Sequence, residues 1–417
     1  MKSHFLLLTA ALLCPFLMQG ADPIQKRIKS FTAESYWTRQ PKRPEITRAH
    51  LVQALEKSRN YYLNSQREEG NFIYSVDLET GRVSKKDNPV RQAGALWGLA
   101  CLNRDRFNEP TRQAVTKGIQ FFFQNIQTLK SGKRCVVYPG EDRISTGMVA
   151  LYCLALTDFL RGQERYLDAK AKEEYRRILK IHLDYLQSLE LPDGSWACIY
   201  DVPANIQEPE GSPYYDGEAL LAYCKAARYL GHTELIPRIN EALPKLIAKY
   251  TADIWEDPCM THDASKGFYQ WCCMALNEYV MAGWTPHREL AIDTSLAYSN
   301  WLIHHEKVTD RSGNTAYAVE GLLASWNIAG ITGNRPAQKR IQQTIFDIMG
   351  NLMTWQYEGP FIKQNPVLKK LAAGKKPQTA YIGGITASLH DPVVRIDIQQ
   401  HQTHAMLLML DYMFSKK

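Results

Sequence analysis

A carboxylate and an imidazole spaced for joint work lie near the C-terminus, in Asp391-Pro392-Val393-Val394-Arg395-Ile396-Asp397-Ile398-Gln399-Gln400-His401-Gln402-Thr403-His404. Asp397 and His401 are four residues apart, so on a helix they share a face and the carboxylate can orient the imidazole. Arg395 can hold that carboxylate or an anionic group of a ligand. An imidazole held this way is a general base, and an arginine beside it neutralises the charge left when a proton leaves a carbon next to a carbonyl or carboxylate. The competing reading is structural, with Asp397 as a helix N-cap and Gln400 at the third helical position. Asp397, His401 and His404 are also metal-ligand types, but no second cluster supports them, so neither a metal nor a cofactor is expected.

Five other stretches place polar residues where short apolar helices begin: Arg91-Gln92, Asp142-Arg143 with Ser145-Thr146, Asp216 with Glu218, His262-Asp263, and Asn314-Thr315 with Glu320. Asp142, Asp216, Asp263 and Asn314 are the types found at helix N-caps, and Glu218 is a favourable first-turn acid. Glu320 differs, because it lies more than a turn inside Ala316-Tyr317-Ala318-Val319-Glu320-Gly321-Leu322-Leu323. An unpaired carboxylate buried there is costly, which leaves a structural salt bridge or a cavity-facing acid. Acids from different stretches, once brought together, suit glycosidic hydrolysis: one protonates the leaving oxygen and the other activates water or attacks the sugar. Trp196 and Tyr215 carry apolar faces with polar edges and can stack on sugar rings. The candidate catalytic residues are therefore Asp216, Glu218, Glu320, Asp397 and His401. The candidate binding residues are Arg91, Gln92, Asp142, Arg143, Asp263, Tyr215, Trp196 and Arg395.

The elements that must position these residues are clearest from Leu186 to Gly231. A helix runs into Leu191-Pro192-Asp193-Gly194-Ser195-Trp196, a turn with an aromatic behind it. After a polar loop, Ala219-Leu220-Leu221-Ala222-Tyr223-Cys224-Lys225-Ala226-Ala227 is apolar on nearly every side, as a helix buried all round must be. This unit of outer helix, glycine-aromatic loop and inner helix recurs six times. The other outer helices are expected near 49–66, 111–128, 236–250, 291–304 and 337–357. The other inner helices are expected near 91–102, 145–160, 269–281 and 316–329, with a last one ending at Phe414. Gly70 and Gly384 bracket five repeats, a mean period of about 63 residues, which marks a repeat architecture. An open solenoid needs polar caps at its ends, yet Ala405-Met406-Leu407-Leu408-Met409-Leu410 is among the most apolar stretches. It must be covered on all sides, as closure against the first pair would do. The expected fold class is all-α, a closed (α/α)6 toroid or barrel of six helical hairpins whose inner-helix N-termini converge on one mouth. Such a funnel of N-H groups favours anionic or hydroxyl-rich ligands.

Six hairpins with a glycine-aromatic loop before each inner helix resemble the six-hairpin glycosidase and (α/α)6 toroid superfamily. The resemblance covers roughly residues 49 to 414 and implies a glycoside hydrolase, polysaccharide lyase or sugar epimerase acting on a poly- or oligosaccharide, an acidic one included. Gln187 to Trp196 is also similar to the glutamine-to-tryptophan repeat of terpenoid cyclases and prenyltransferase toroids, although their acidic signature is absent. A terpenoid toroid requires an apolar cavity, whereas this mouth gathers Arg91, Asp216, Glu218, Glu320, Arg395 and His401. A non-catalytic toroid binding a glycan or peptide is the other alternative.

Composition narrows the classes further. With 417 residues, 45% hydrophobic and 22% charged, the chain is of ordinary globular type. Its net charge of +7 is scattered, without the concentrated basic face of a nucleic-acid binder, and a monomer is expected. Residues 1–21 read as a secretory signal peptide, since Phe5 to Leu17 is an apolar run too short to span a bilayer and small residues follow at Gly20-Ala21. The mature protein is thus expected to be secreted or periplasmic, without stable membrane insertion. Residues 22–48 read as a basic, polar arm and 49–417 as the toroid domain. Cys101, Cys153, Cys224, Cys272 and Cys273 fall in apolar helices and read as free thiols, with Cys135, Cys198 and Cys259 the candidates for a bridge.

Overall fold

The computed structural model describes residues 21–30, 44–257, 259–374 and 378–415. The segment read as a leader lies outside the described residues except for Ala21. Helix α1 (Ala21–Ser30) precedes six pairs. These are α2 (Arg48–Ser65) with α3 (Pro89–Asp105), α4 (Glu109–Gln124) with α5 (Thr146–Gln163), and α6 (Ala169–Gln187) with α7 (Pro213–Leu230). Next come α8 (Ile236–Ile247) and the short α9 (Asp253–Glu256) with α10 (Asp263–Met281), then α11 (Arg288–Asn300) with α12 (Ala316–Ile331). The last pair is α13 (Arg335–Leu352), followed by the short α14 (Pro366–Ala372), with α15 (Ile396–Phe414).

The two kinds of helix differ as the sequence pattern requires. In α5 every residue from Thr146 to Leu160 is buried, while α6 buries a stripe of Ile178, Leu179, His182, Leu183, Tyr185 and Leu186 and leaves its other face wet. Each inner helix packs on the next, α3 on α5, α7, α10, α12 and α15 in turn, and α15 returns to α3. The ring is closed, and the fold is an (α/α)6 toroid. Each fully buried Leu, Ile or Phe contributes roughly 1.5–3 kcal/mol, so the core is spread around the whole ring.

The outer-to-inner loops hold short strands that helical periodicity gives no sign of. Strands β1 (Ser75–Asp77), β2 (Ile126–Thr128), β3 (Arg134–Val136), β4 (Arg143–Ser145), β5 (Ile199–Asp201), β6 (Ile206–Gln207) and β7 (Val393–Arg395) form three small antiparallel sheets. One of them closes the ring a second time, because β1 from the first loop pairs with β7 from the last, Ser75 opposite Arg395. Gly383 in that last loop sits at φ 93, and a Cβ there would lie 1.8 Å from the Lys57 carbonyl oxygen of α2, so only glycine permits the contact. Gly194, at φ 84, makes the left-handed corner of the Pro-Asp-Gly turn.

The arm contains structure of its own: Ile28 of α1 is fully buried, and Arg27 reaches Asp253 and Glu256 of α9. The eight cysteines from Cys101 to Cys273 are free thiols, and Cys135 is buried in β3, not looped out. No helix among the described residues is long and apolar enough to cross a membrane.

Candidate functional site

The site centres on a carboxylate from α12 and two imidazoles from α15. His401 and His404 are three apart and therefore share the helix face turned toward α12. Glu320, fully buried on α12, accepts a hydrogen bond from His401 Nδ1 at 2.8 Å through Oε2 and from His404 Nδ1 at 2.7 Å through Oε1. Gln270 of α10 adds a contact of 3.4 Å to Oε2. Burial pushes the Glu320 carboxyl upward, but the charge of His401 and the hydrogen bonds from both imidazoles outweigh it and hold the group below the usual carboxylate range. With Nδ1 donating to a carboxylate, the neutral His401 ring has its lone pair on Nε2, the arrangement of a general base. Its side chain is 21% exposed, whereas that of His404 is buried. Trp97 packs 4.6 Å from the His404 ring, and Trp271 lies 6.0 Å from His401 and 5.8 Å from Trp97. These indoles plug the barrel beneath the imidazoles.

Above this core sits a charged cluster. Asp397 accepts from Arg395 Nε at 2.6 Å and Nη2 at 2.9 Å, and Arg91 Nε approaches its Oδ2 to 3.3 Å. Burial raises the Asp397 carboxyl, and the two arginines with His401 more than reverse that, leaving it lowered. Arg91 also donates to the Tyr74 hydroxyl, and the Tyr317 ring stands edge-on 6.5 Å from His401. Asp397 is not the helix N-cap, since α15 is capped by Arg395 and begins at Ile396. Nor does Asp397 hydrogen-bond His401; its oxygens are taken by the arginines, and the residue that orients the imidazole is Glu320.

The remaining candidates are dispersed around the mouth. Asp216 is buried and ties the Trp196 backbone N-H, at 2.9 Å, to the Tyr250 hydroxyl, at 2.6 Å. Burial pushes its carboxyl up to about 7, against the pull of these two bonds. Trp196 is itself buried, with its ring against Tyr223. Gln92 clamps a loop, accepting from the Phe72 N-H and donating to the Phe72 carbonyl, each at 2.8 Å. Asp142 and Arg143 lie exposed on the rim, where Arg143 pairs with Glu208 across the β4-β5-β6 sheet, and Asp263 is an exposed first residue of α10. The N-cap positions belong to Ser145, Ser212, His262 and Thr315, so Asp142, Asp216 and Asp263 do not cap; Asn314 accepts from the Ala316 N-H from one residue before its cap.

Glu218 stands apart from these. It lies one turn into α7 beside Tyr215, and both crowd the space where a Cβ on Gly147 of α5 would sit. Its Oε2 is buried without a hydrogen-bond partner, and burial pushes its carboxyl well above the usual range. The structure therefore gathers Arg91, Arg395 and Asp397 into one ion-paired cluster beside the Glu320, His401 and His404 core, with Glu218 and Tyr215 on α7, across the ring from α15. Sequence reasoning named His404 only as a metal-ligand type and did not assign Tyr317, Trp97 or Trp271 to this site. Only His404 carried a signal, its three-residue spacing from His401.

No family model matches the sequence, and no curated protein matches it either. Solved structures do match. A sugar epimerase from a ruminal bacterium superposes with a TM-score of 0.60 at 11% identity, covering 89% of this chain and 100% of that one. A D-mannose isomerase gives 0.60 at 13%, covering 89% and 100%. An unsaturated glucuronyl hydrolase specific for heparin gives 0.57 at 8%, covering 87% and 96%. At these identities the likeness establishes the fold.

Proposed function

We propose that this chain is a sugar-modifying enzyme that moves a proton at a carbon beside a carbonyl or carboxylate, with His401 as the base, and that it acts outside the cytoplasm. The observation that carries the reading is the buried Glu320 holding His401 at Nδ1, with Nε2 on a part-exposed ring and Arg91 in the adjoining cluster. Nε2 takes the proton from the carbon, the C-H electrons form a carbon-carbon double bond, and the carbonyl π electrons move onto oxygen. A guanidinium at the mouth stabilises the oxyanion. Protonation of the opposite face by a second acid gives an epimer, and return of the proton by His401 to the neighbouring carbon, with the hydroxyl proton passing between the two oxygens, gives an isomer. Loss of an oxygen substituent one carbon further gives an unsaturated sugar, as in a lyase.

Hydrolysis by paired carboxylates fits the geometry less well. Both oxygens of Glu320 are engaged by imidazoles, and both oxygens of Asp397 are engaged by arginines. Glu218, kept neutral by burial, is suited to donate a proton, but it has no carboxylate partner within the described network. The names of the structural neighbours, a sugar epimerase and a mannose isomerase among them, support a saccharide as substrate, and the leader-like Met1 to Gly20 supports export.

The test is proton NMR in D2O with D-mannose, D-glucose, cellobiose and uronic-acid oligosaccharides. Deuterium incorporation beside the carbonyl or carboxylate, abolished by His401→Ala, is the expected result. Release of new reducing ends without deuterium at carbon would establish hydrolysis instead. Binding of these sugars without any turnover would mark a recognition toroid, and either outcome overturns the proposal.

A further inference from the structure

The opposite end of the barrel holds a cavity that the chemistry at the mouth does not use. Its volume is about 230 Å³, and its walls come from the C-terminal turns of all six inner helices. Trp97 and His404 form its inner wall, so the indole plug separates it from the mouth. A void of this size has room for several waters. It is smaller than the roughly 300–1,000 Å³ of sites for drug-sized ligands, which limits an occupant to about one sugar ring.

The lining explains what kind of occupant fits. Arg104, Arg161, Lys225 and Arg228 project into it from the ends of α3, α5 and α7. Cations there complement the negative ends of helices, and that alone would be a structural role. It does not account for Glu278 and Asp411, which bring acids to the same helix ends, or for Asn277 and Asn327, which hydrogen-bond each other at 2.9 Å on the same wall. The four cations are ion-paired to Glu278 on the wall and to Asp105 and Asp158 behind it, Asp158 alone binding Arg104, Arg161 and Lys225, and Asp411 adds a further acid in the field of Arg104 and Arg161. A balanced wall of this kind has no excess positive charge for an anion. It offers alternating donors and acceptors, with Arg161 and Arg228 held over the Tyr229 ring at 3.4 and 4.7 Å, which is what a neutral ring carrying several hydroxyl groups requires.

We propose that this cavity is a second ligand site, for a neutral hexose, at the end of the toroid opposite the proposed active site. Isothermal titration of the full chain with D-glucose, D-mannose, D-galactose, D-glucuronate and inorganic phosphate tests it. A neutral hexose should bind wild type and His401→Ala alike, and at least tenfold more weakly to Asn327→Leu, which keeps the branched side-chain shape and removes the polar edge. Met281→Trp serves as the second variant: Met281 lines the cavity and is 43% exposed, so bulk there narrows the opening without entering the core. It too should weaken binding. Hexose binding that His401→Ala abolishes, or that neither cavity variant weakens, would place the ligand at the mouth and overturn the proposal. So would phosphate or glucuronate binding with the neutral hexoses silent, and so would silence from all three neutral hexoses. The deuterium-exchange reading of the mouth stands or falls separately, because its test reads chemistry at His401 and not this affinity.

Discussion

Replacing Glu320 by Gln preserves the shape of the residue and removes the charge on which the two imidazoles depend. In the native protein each carboxylate oxygen accepts one imidazole N-H, at 2.8 and 2.7 Å, in a fully buried setting. A hydrogen bond to a charged group contributes about 1.5–3 kcal/mol, and breaking a buried pair by removing one partner costs about 3–5 kcal/mol. The glutamine amide keeps one acceptor oxygen and turns the other position into a donor, so one imidazole can change tautomer and adapt. The expected loss is therefore about 2–4 kcal/mol at neutral pH, within the range set by those two figures. The pH dependence gives a sharper signature. The folded Glu320 titrates below its unfolded value near 4.5, so its stabilisation is fully present above about 4.5 and is lost as the pH falls through the lower folded value. The stability gap between wild type and Glu320→Gln should narrow in acid. Urea unfolding of both proteins over a pH series measures it. A gap that does not change in acid, or a variant as stable as wild type at pH 7, would show that the carboxylate does not hold these imidazoles. Turnover should fall about a hundredfold or more with the loss of the oriented base.

Glu218→Gln should behave in the opposite sense. Its folded carboxyl titrates well above 4.5, so wild type loses stability as the pH rises from the unfolded toward the folded value, while the variant has no such slope and is at least as stable above neutrality; a variant less stable than wild type at pH 8 would mean that the carboxylate is paired. Asp158→Asn strands Arg104, Arg161 and Lys225 around a neutral amide and should cost about 3–5 kcal/mol in urea unfolding; a loss under 1 kcal/mol would show that solvent screens these charges. Deleting residues after Pro392 removes β7 and α15 and opens the ring, so calorimetry should find no cooperative thermal transition, and a sharp one would contradict closure as a condition of folding. Mass spectrometry of protein from its native host should find an N-terminus near Ala21 or Asp22, and an intact Met1 on soluble protein would refute export.

The helices were legible because α5, α7 and α12 are apolar nearly all round and α6 is apolar on one stripe, a contrast that can be read one residue at a time. Closure was legible for the same reason, since Ala405 to Leu410 needs cover on every side. The strands were not, because three residues are too few to show a period of two, and the pairing of β1 with β7 spans more than three hundred residues of chain. The partner of His401 was hidden in the same way. Sequence spacing can connect an imidazole only to groups three or four positions away on its own helix, which offered Asp397. In the ring α15 has buried neighbours on both sides, and the acid that reaches His401 comes from 81 residues earlier. What the sequence did carry was the anomaly at Glu320, a charge inside an apolar helix with no local counterion. Such a charge needs a partner from another helix, and in a closed ring the adjacent inner helices are the nearest source of one. Of the two beside α12, α10 supplies only the weak Gln270 contact, and α15 supplies both imidazoles. An intrahelical acid together with a His-x-x-His pair on the next inner helix is thus a pattern that can be searched for in sequence once ring order is known, even though neither half identifies the other alone.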